Sequence, residues 1–273
     1  MTTKKEKNMK NSLLGLTLAL PLLAVSGLTH AEDIKFVPRI EAGLQNYTYT
    51  YEKETPDSFS TDMLGVGITA IYGQLYLDVD LKQNYTSGAG GESFQEDMWD
   101  LQTTDEFDRR DFAITGGYSF GATSIFAGYK HGKTERTIEA EWDFNNPMMG
   151  DLKLNRSGDI TSSGMFIGAA YSLMLGDSDA LSFSIAYADL SVELGLSAAT
   201  AMDVDVDLNA PSENYDYDGS GISISGKWSH YLESGKSVYL KFETQTYDYD
   251  AFVDEKPGKE TETLSRLSIG VTF

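Results

Sequence analysis

Residues 64–81 read LGVGITAIYGQLYLDVDL. Leu64, Val66, Ile68, Ala70 and Tyr72 share one parity, and Leu75, Leu77, Val79 and Leu81 share the next. Apolar side chains at every second position mark a strand with two unlike faces, whereas a helix would repeat them at spacings of three and four. Tyr72-Gly73-Gln74 interrupts the two runs with a turn former, so the stretch predicts a tight antiparallel hairpin. The opposite parity of the second run carries Asp78, Asp80 and Lys82. One face of this hairpin therefore meets an apolar medium and the other a polar one.

The same rhythm recurs along the chain. Phe112, Ile114, Tyr118 and Phe120 form a set, followed by Ile125, Ala127 and Tyr129. Then come Met165, Ile167, Ala169, Tyr171 and Leu173, and Leu181, Phe183, Ile185 and Tyr187. Ile222, Ile224 and Trp228 precede Val238, Leu240 and Phe242, and the last set is Leu267, Ile269, Val271 and Phe273. The first strand holds Ile40, Ala42 and Leu44 on one parity and Tyr47, Tyr49 and Tyr51 on the other, which predicts a β-bulge near Gln45-Asn46. Short turns at 72–74, 121–122, 176–179 and 233–235 alternate with long polar segments, roughly 52–62, 84–109, 133–159, 189–219 and 247–262. Short turns on one side and long loops on the other are the pattern of outer-membrane barrels. The fold expected is all-β: a transmembrane antiparallel up-and-down β-barrel of about ten strands, with eight or twelve as alternatives. Short periplasmic turns would oppose long acidic extracellular loops. Glycines at or near inward parity, such as Gly65, Gly67 and Gly270, suit a crowded lumen.

Composition agrees. The 273 residues are 41% hydrophobic, with 16 Tyr, 13 Phe, 26 Gly and no cysteine, which excludes disulfides and thiolate metal sites. Lys4, Lys5, Lys7 and Lys10 precede an apolar run from about Leu13 to Val25 that is short for a membrane helix, and Thr29-His30-Ala31 offers a cleavage site. Residues 1–31 are thus expected to be a signal peptide and 32–273 one barrel domain. Cleavage would move the net charge from −21 to about −24. A chain this acidic repels phosphate backbones, so nucleic acid is excluded as a partner.

At the C-terminus, Leu267-Ser268-Ile269-Gly270-Val271-Thr272-Phe273 alternates apolar positions and ends on an aromatic. This resembles the terminal strand of Gram-negative outer-membrane barrel proteins. The resemblance implies outer-membrane localisation, and that Leu267, Ile269, Val271 and Phe273 are the assembly signal read by the barrel-assembly machinery. Outer-membrane lipid and lipopolysaccharide are the surrounding partners it implies, and a monomer is expected.

Charge at inward parity predicts a mid-height belt of Arg39, Glu41, Asp78, Asp80, Lys82, Lys130, Lys227, Lys241, Glu243 and Arg266. In a lumen as narrow as ten strands allow, these would pair as an ionic plug; a selectivity ring in a narrow channel for small cations or solutes is the alternative. The remaining acids fall in the long segments, where they would solvate the surface or attract cationic ligands. Asp203, Asp205 and Asp207 are spaced like the start of a calcium loop. Leu208 stands where the turn glycine belongs and Asn214 where the bidentate glutamate belongs, so calcium is a candidate cofactor without a closed ligand shell.

Size, strand count and the acidic segment Glu96-Asp97-Met98-Trp99-Asp100 also resemble the omptin proteases. That family needs a histidine–aspartate pair at the outer rim. Here His30 leaves with the signal peptide, His131 shares the outward parity of Ile125 and Tyr129, and His230 lies beside a short turn. No catalytic residue is assigned. Tyr47, Tyr49, Tyr51, Tyr247 and Tyr249 at one end, and Tyr118, Phe120, Tyr171 and Trp228 at the other, are read as two interfacial girdles. The function expected is that of a structural or surface-interaction protein, with a narrow channel and an omptin-like protease as alternatives.

Overall fold

The computed structural model describes residues 34–51, 57–90, 93–96, 99–144, 152–202, 208–209, 213–253 and 256–273. The expected signal peptide, the Asp203–Asp207 run and Asp97-Met98 lie outside them. Ten long strands make the barrel: β1 Ile34–Tyr51, β2 Asp57–Tyr72, β3 Leu75–Gln83, β4 Trp99–Phe120, β5 Thr123–Phe144, β6 Leu152–Met174, β7 Asp179–Met202, β8 Glu213–Tyr231, β9 Ser237–Val253 and β10 Lys256–Thr272. Each pairs antiparallel with its neighbours in sequence, and β10 pairs with β1, which closes the cylinder. Three short strands complete it: Gly88–Gly90 and Ser93–Glu96 pair with β4 beyond the end of β3, and Leu208–Asn209 pairs with β7.

Alternation dictates this closure. A sheet with one apolar face and one charged face, with no helix among the described residues to cover it, hides its edges and its charges together by curling into a barrel. Outward side chains such as Leu44, Ile167, Phe183 and Ile269 are half or more exposed, forming a continuous apolar band that only lipid can cover. Tyr118, Phe120, Tyr171 and Trp228 lie outward near the short turns, at one margin of this band. Those four turns each contain a glycine at positive φ: Gly73 (59°), Gly121 (66°), Gly176 (88°) and Gly235 (81°). A Cβ added at any of them meets nothing within 4 Å, so backbone conformation alone selects glycine there.

Two expectations are corrected. Among the described residues the long polar segments are largely strand rather than loop: β4 to β7 run 22 to 24 residues, about twice what a bilayer requires. Where the strands leave lipid, water can face both sides of the sheet, so polar residues continue the ladder and the periodicity signal fades. The bulge near Gln45-Asn46 is also absent. The registers of β1 with β2 and with β10 run unbroken through both residues. What switches is the medium, not the backbone: above Leu44 the outward face becomes Asn46 and Thr48, while the lumen face becomes Tyr47 and Tyr49.

Candidate functional site

The register brings the predicted belt into one chain of contacts across the lumen. On β1 the Arg39 guanidinium meets Asp78 at 2.5 Å and Asp80 at 2.7 Å, both on β3. Lys82 lies 2.7 Å from Asp80, 3.4 Å from Glu41 and 3.5 Å from Glu243, joining β3 to β1 and β9. Glu243 also holds Lys241 at 2.5 Å and Arg266 at 3.6 Å. Glu41 accepts a hydrogen bond from the Tyr239 hydroxyl at 3.1 Å. Most acids and cations in this chain touch more than one group or are completed by a hydroxyl, which is what the burial of charge demands.

Lys130 and Lys227 face the same lumen but stand apart from this chain of ion pairs. The Lys130 ammonium donates to Gln245 at 2.8 Å and to the Tyr247 hydroxyl, and sits 4.0 Å from the Tyr247 ring centroid. Lys227 lies 5.7 Å from the Tyr239 ring centroid. Beside Lys130, Lys241 and Arg39 is a half-open cavity of about 220 Å³ whose far wall is small and hydroxylated, including Ser184, Ala186, Ser223 and Ser225.

Three members of the network were missed by the sequence reading. Asp111 binds Arg266, and Arg109 at 3.1 Å; Arg109 in turn reaches Glu262 at 2.5 Å. Asp111 and Arg109 share the parity of Ala113 and Thr115 on β4, so the signal was present. Arg109 falls in segment 84–109, which reads as a loop, and Asp111 stands just past it, one residue before the apolar set that begins at Phe112. Glu262 on β10 was missed for the same reason as Arg109.

Above the ions the lumen is aromatic. Tyr47, Phe59, Phe107 and Leu264 pack as one buried cluster, with Phe59 and Phe107 stacked at 5.4 Å. Tyr217, Tyr247 and Tyr249 pack with Ala188, Leu190 and Val192 as a second. This corrects the outer girdle: Tyr47, Tyr49, Tyr247 and Tyr249 sit at lumen-facing positions, and Tyr51 is a residue whose side chain lies outside the described ones. Tyr49 donates to Glu260, and Tyr249 donates to Glu262 at 2.7 Å. Burial first, then the Glu260 acceptor, pushes the Tyr49 phenol well above its usual range. Burial and then the Glu262 charge do the same to Tyr47 and Tyr249. All three phenols stay protonated, and those of Tyr49 and Tyr249 act as donors. Arg136 binds Asp105 at 2.7 Å over the Phe59 ring, near the upper end of the lumen.

The two described histidines lie outside the lumen. His131 alternates outward between Lys130 and Gly132, and His230 pairs with Asp179 at 3.0 Å beside a short turn. At the barrel seam the Phe273 amide donates to the Pro38 carbonyl at 3.0 Å, and Leu267 and Ile269 face lipid.

No protein-family model matches the chain, and no curated protein matches it either. Solved structures do. The outer membrane protease OmpT from Escherichia coli matches with a TM-score of 0.56 at 10% identity, over 90% of this chain and 98% of that one. The translocator domain of the autotransporter NalP from Neisseria meningitidis matches at 0.37 and 11% identity, over 98% and 99%. The attachment invasion locus protein Ail of Yersinia pestis matches at 0.34 and 7% identity, over 88% and 99%. At 10% identity the likeness to the protease is one of fold alone. With its lipid-facing band, its closed antiparallel pairing and its charge turned inward, the chain has the fold of a ten-stranded outer-membrane β-barrel.

Proposed function

We propose that this protein is a non-conducting structural and surface-interaction barrel of the outer membrane. The observation that carries the reading is the unbroken chain of ion pairs from Asp78 through Arg39, Asp80, Lys82, Glu243, Arg266, Asp111 and Arg109 to Glu262, crossed over by two aromatic clusters. An ion entering from either end would have to displace paired charges already held within the wall, which a selectivity ring does not require. The long strands lift carboxylates such as Glu193, Asp216 and Asp218 outward above the lipid band, a surface suited to cationic partners.

The half-open cavity favours a second reading, a narrow path for small cations or solutes along the hydroxylated wall. Single-channel recording in planar bilayers separates the two. The plugged barrel should give no stable ohmic step at moderate voltage; a stable open state of porin-like size overturns the plug, and a small cation-selective step selects the second reading.

A further inference from the structure

The charge balance at the lumen cavity is the reverse of that of the chain. Five lysines and arginines and four acids border the half-open space beside Lys130, whereas the whole chain holds 21 and 42. All four acids are already held. Arg39 binds Asp78 and Asp80, Arg266 binds Asp111 and Glu243, and Asp80 and Glu243 have further cations. Two of the three Lys130 ammonium protons reach neutral acceptors, Gln245 and Tyr247. The third has no acceptor, and the ammonium no carboxylate partner, among the described residues.

Register adds a second signal. Lys227 on β8 stands directly opposite Lys241 on β9, and both face the lumen. Like charges so placed repel. Glu243 reaches Lys241, but among the described residues Lys227 has only the Tyr239 ring. Two residues along the same face of β8 from Lys227 is Ser225, in the hydroxylated wall of the cavity. Ser225 and Ser184 lie 2.7 Å apart, so one hydroxyl proton serves their mutual bond and the other is left for the cavity. A cation entering here finds every acid taken. A neutral solute fills hydrogen bonds but leaves the lysine charge unbalanced. An anion answers both needs.

We infer that the cavity binds one small oxyanion, a carboxylate or a phosphate, between the Lys130 ammonium and the Ser184–Ser225 hydroxyls, with Lys227 and Lys241 as supporting cations. The inference needs only the lumen geometry and holds whether or not the barrel conducts.

Isothermal titration calorimetry on the folded protein in detergent micelles tests it, at low chloride, with sodium phosphate and sodium acetate as separate probes. At least one should bind saturably at millimolar concentrations, at one site per barrel, and the tighter of the two shows which oxyanion the site prefers. Lys130→Met should weaken binding roughly tenfold, as for one lost charge-assisted hydrogen bond. Lys236→Met, at an exposed turn, removes the same charge outside the lumen and should leave binding unchanged. Heat-modifiable gel migration checks folding. Should Lys130→Met not fold, Lys227→Met should weaken binding several-fold in its place. No saturable binding of either anion, binding unchanged in the folded lumen variant, or equal weakening by Lys236→Met overturns the inference.

Discussion

Arg109 and Glu262 stand 153 residues apart in sequence and meet at 2.5 Å inside the barrel, with side chains 2% and 1% exposed. They belong to β4 and β10, which are not neighbours in the wall, since β1, β2 and β3 lie between them. The pair is therefore a strut across the lumen. The Arg109 guanidinium also donates to Thr134 at 2.9 Å and to Asp111 at 3.1 Å, so one residue ties three strands. Removing a single partner leaves the other charge buried and unpaired. Glu262→Ala should lower unfolding free energy by roughly 3–5 kcal/mol, measured by urea unfolding in lipid bilayers. Glu262→Gln, which keeps an acceptor, should cost less. Equal stability of both variants with the parent would show that the strut holds nothing.

Lys82 is the hub of the lower network, since three carboxylates converge on it. Lys82→Met keeps the volume and deletes the charge, leaving Glu41, Asp80 and Glu243 to repel one another. A loss of roughly 3–5 kcal/mol is expected, partly restored by adding Asp80→Asn. The same variant should give cation-selective current where none is expected of the parent, because Glu41 then loses its cation while Asp80 and Glu243 each keep one fewer, leaving the lumen more negative. A silent, fully stable Lys82→Met barrel would disprove the hub.

Tyr47, Tyr49 and Tyr249 have phenols raised above their usual range by burial and then by neighbouring carboxylates. A raised value means that the folded state favours the protonated form. Its stabilisation is complete below the unfolded tyrosine pKa of about 10 and is lost as pH climbs toward the folded value. Base titration followed by tyrosinate absorbance should thus show a late step coinciding with unfolding. Tyr49→Phe should shrink that late step and leave the earlier one unchanged. Loss of amplitude from the early step instead would place Tyr49 in water.

The strand count, the four tight turns and the lumen parity were legible because lipid and a charged interior impose opposite chemistry on alternate residues. Legibility stopped where lipid stops. Above Leu44 the two faces no longer differ in the expected sense, with Tyr47 and Tyr49 inward and Asn46 and Thr48 outward. A reading tuned to apolar-outward alternation therefore took extended strand for loop and a change of medium for a bulge. Arg109 and Glu262 fell into that blind zone although their parity was correct, and Asp111 stands just outside it, one residue before the apolar set that begins at Phe112. Pairings such as Arg39 with Asp78 needed the register, which no local pattern in residues 34–51 contains.

The glycines of β2 show how tightly the wall is fitted to the ions. A Cβ at Gly67 would overlap the Arg39 guanidinium, whose donors hold Asp78 and Asp80. On the outward face of β4, Gly116 has nothing within 4 Å of the same added atom. Gly67→Ala must therefore push Arg39 from one or both carboxylates, at roughly 1–3 kcal/mol for the overpacking alone. Gly116→Ala should be neutral or slightly stabilising, since it adds apolar surface toward lipid and reduces unfolded-state freedom. Both are glycine-to-alanine changes within strands, so intrinsic propensity cannot separate them. If urea unfolding finds the two equally stable, Arg39 is not confined by the β2 backbone, and the close fit between wall and network is lost.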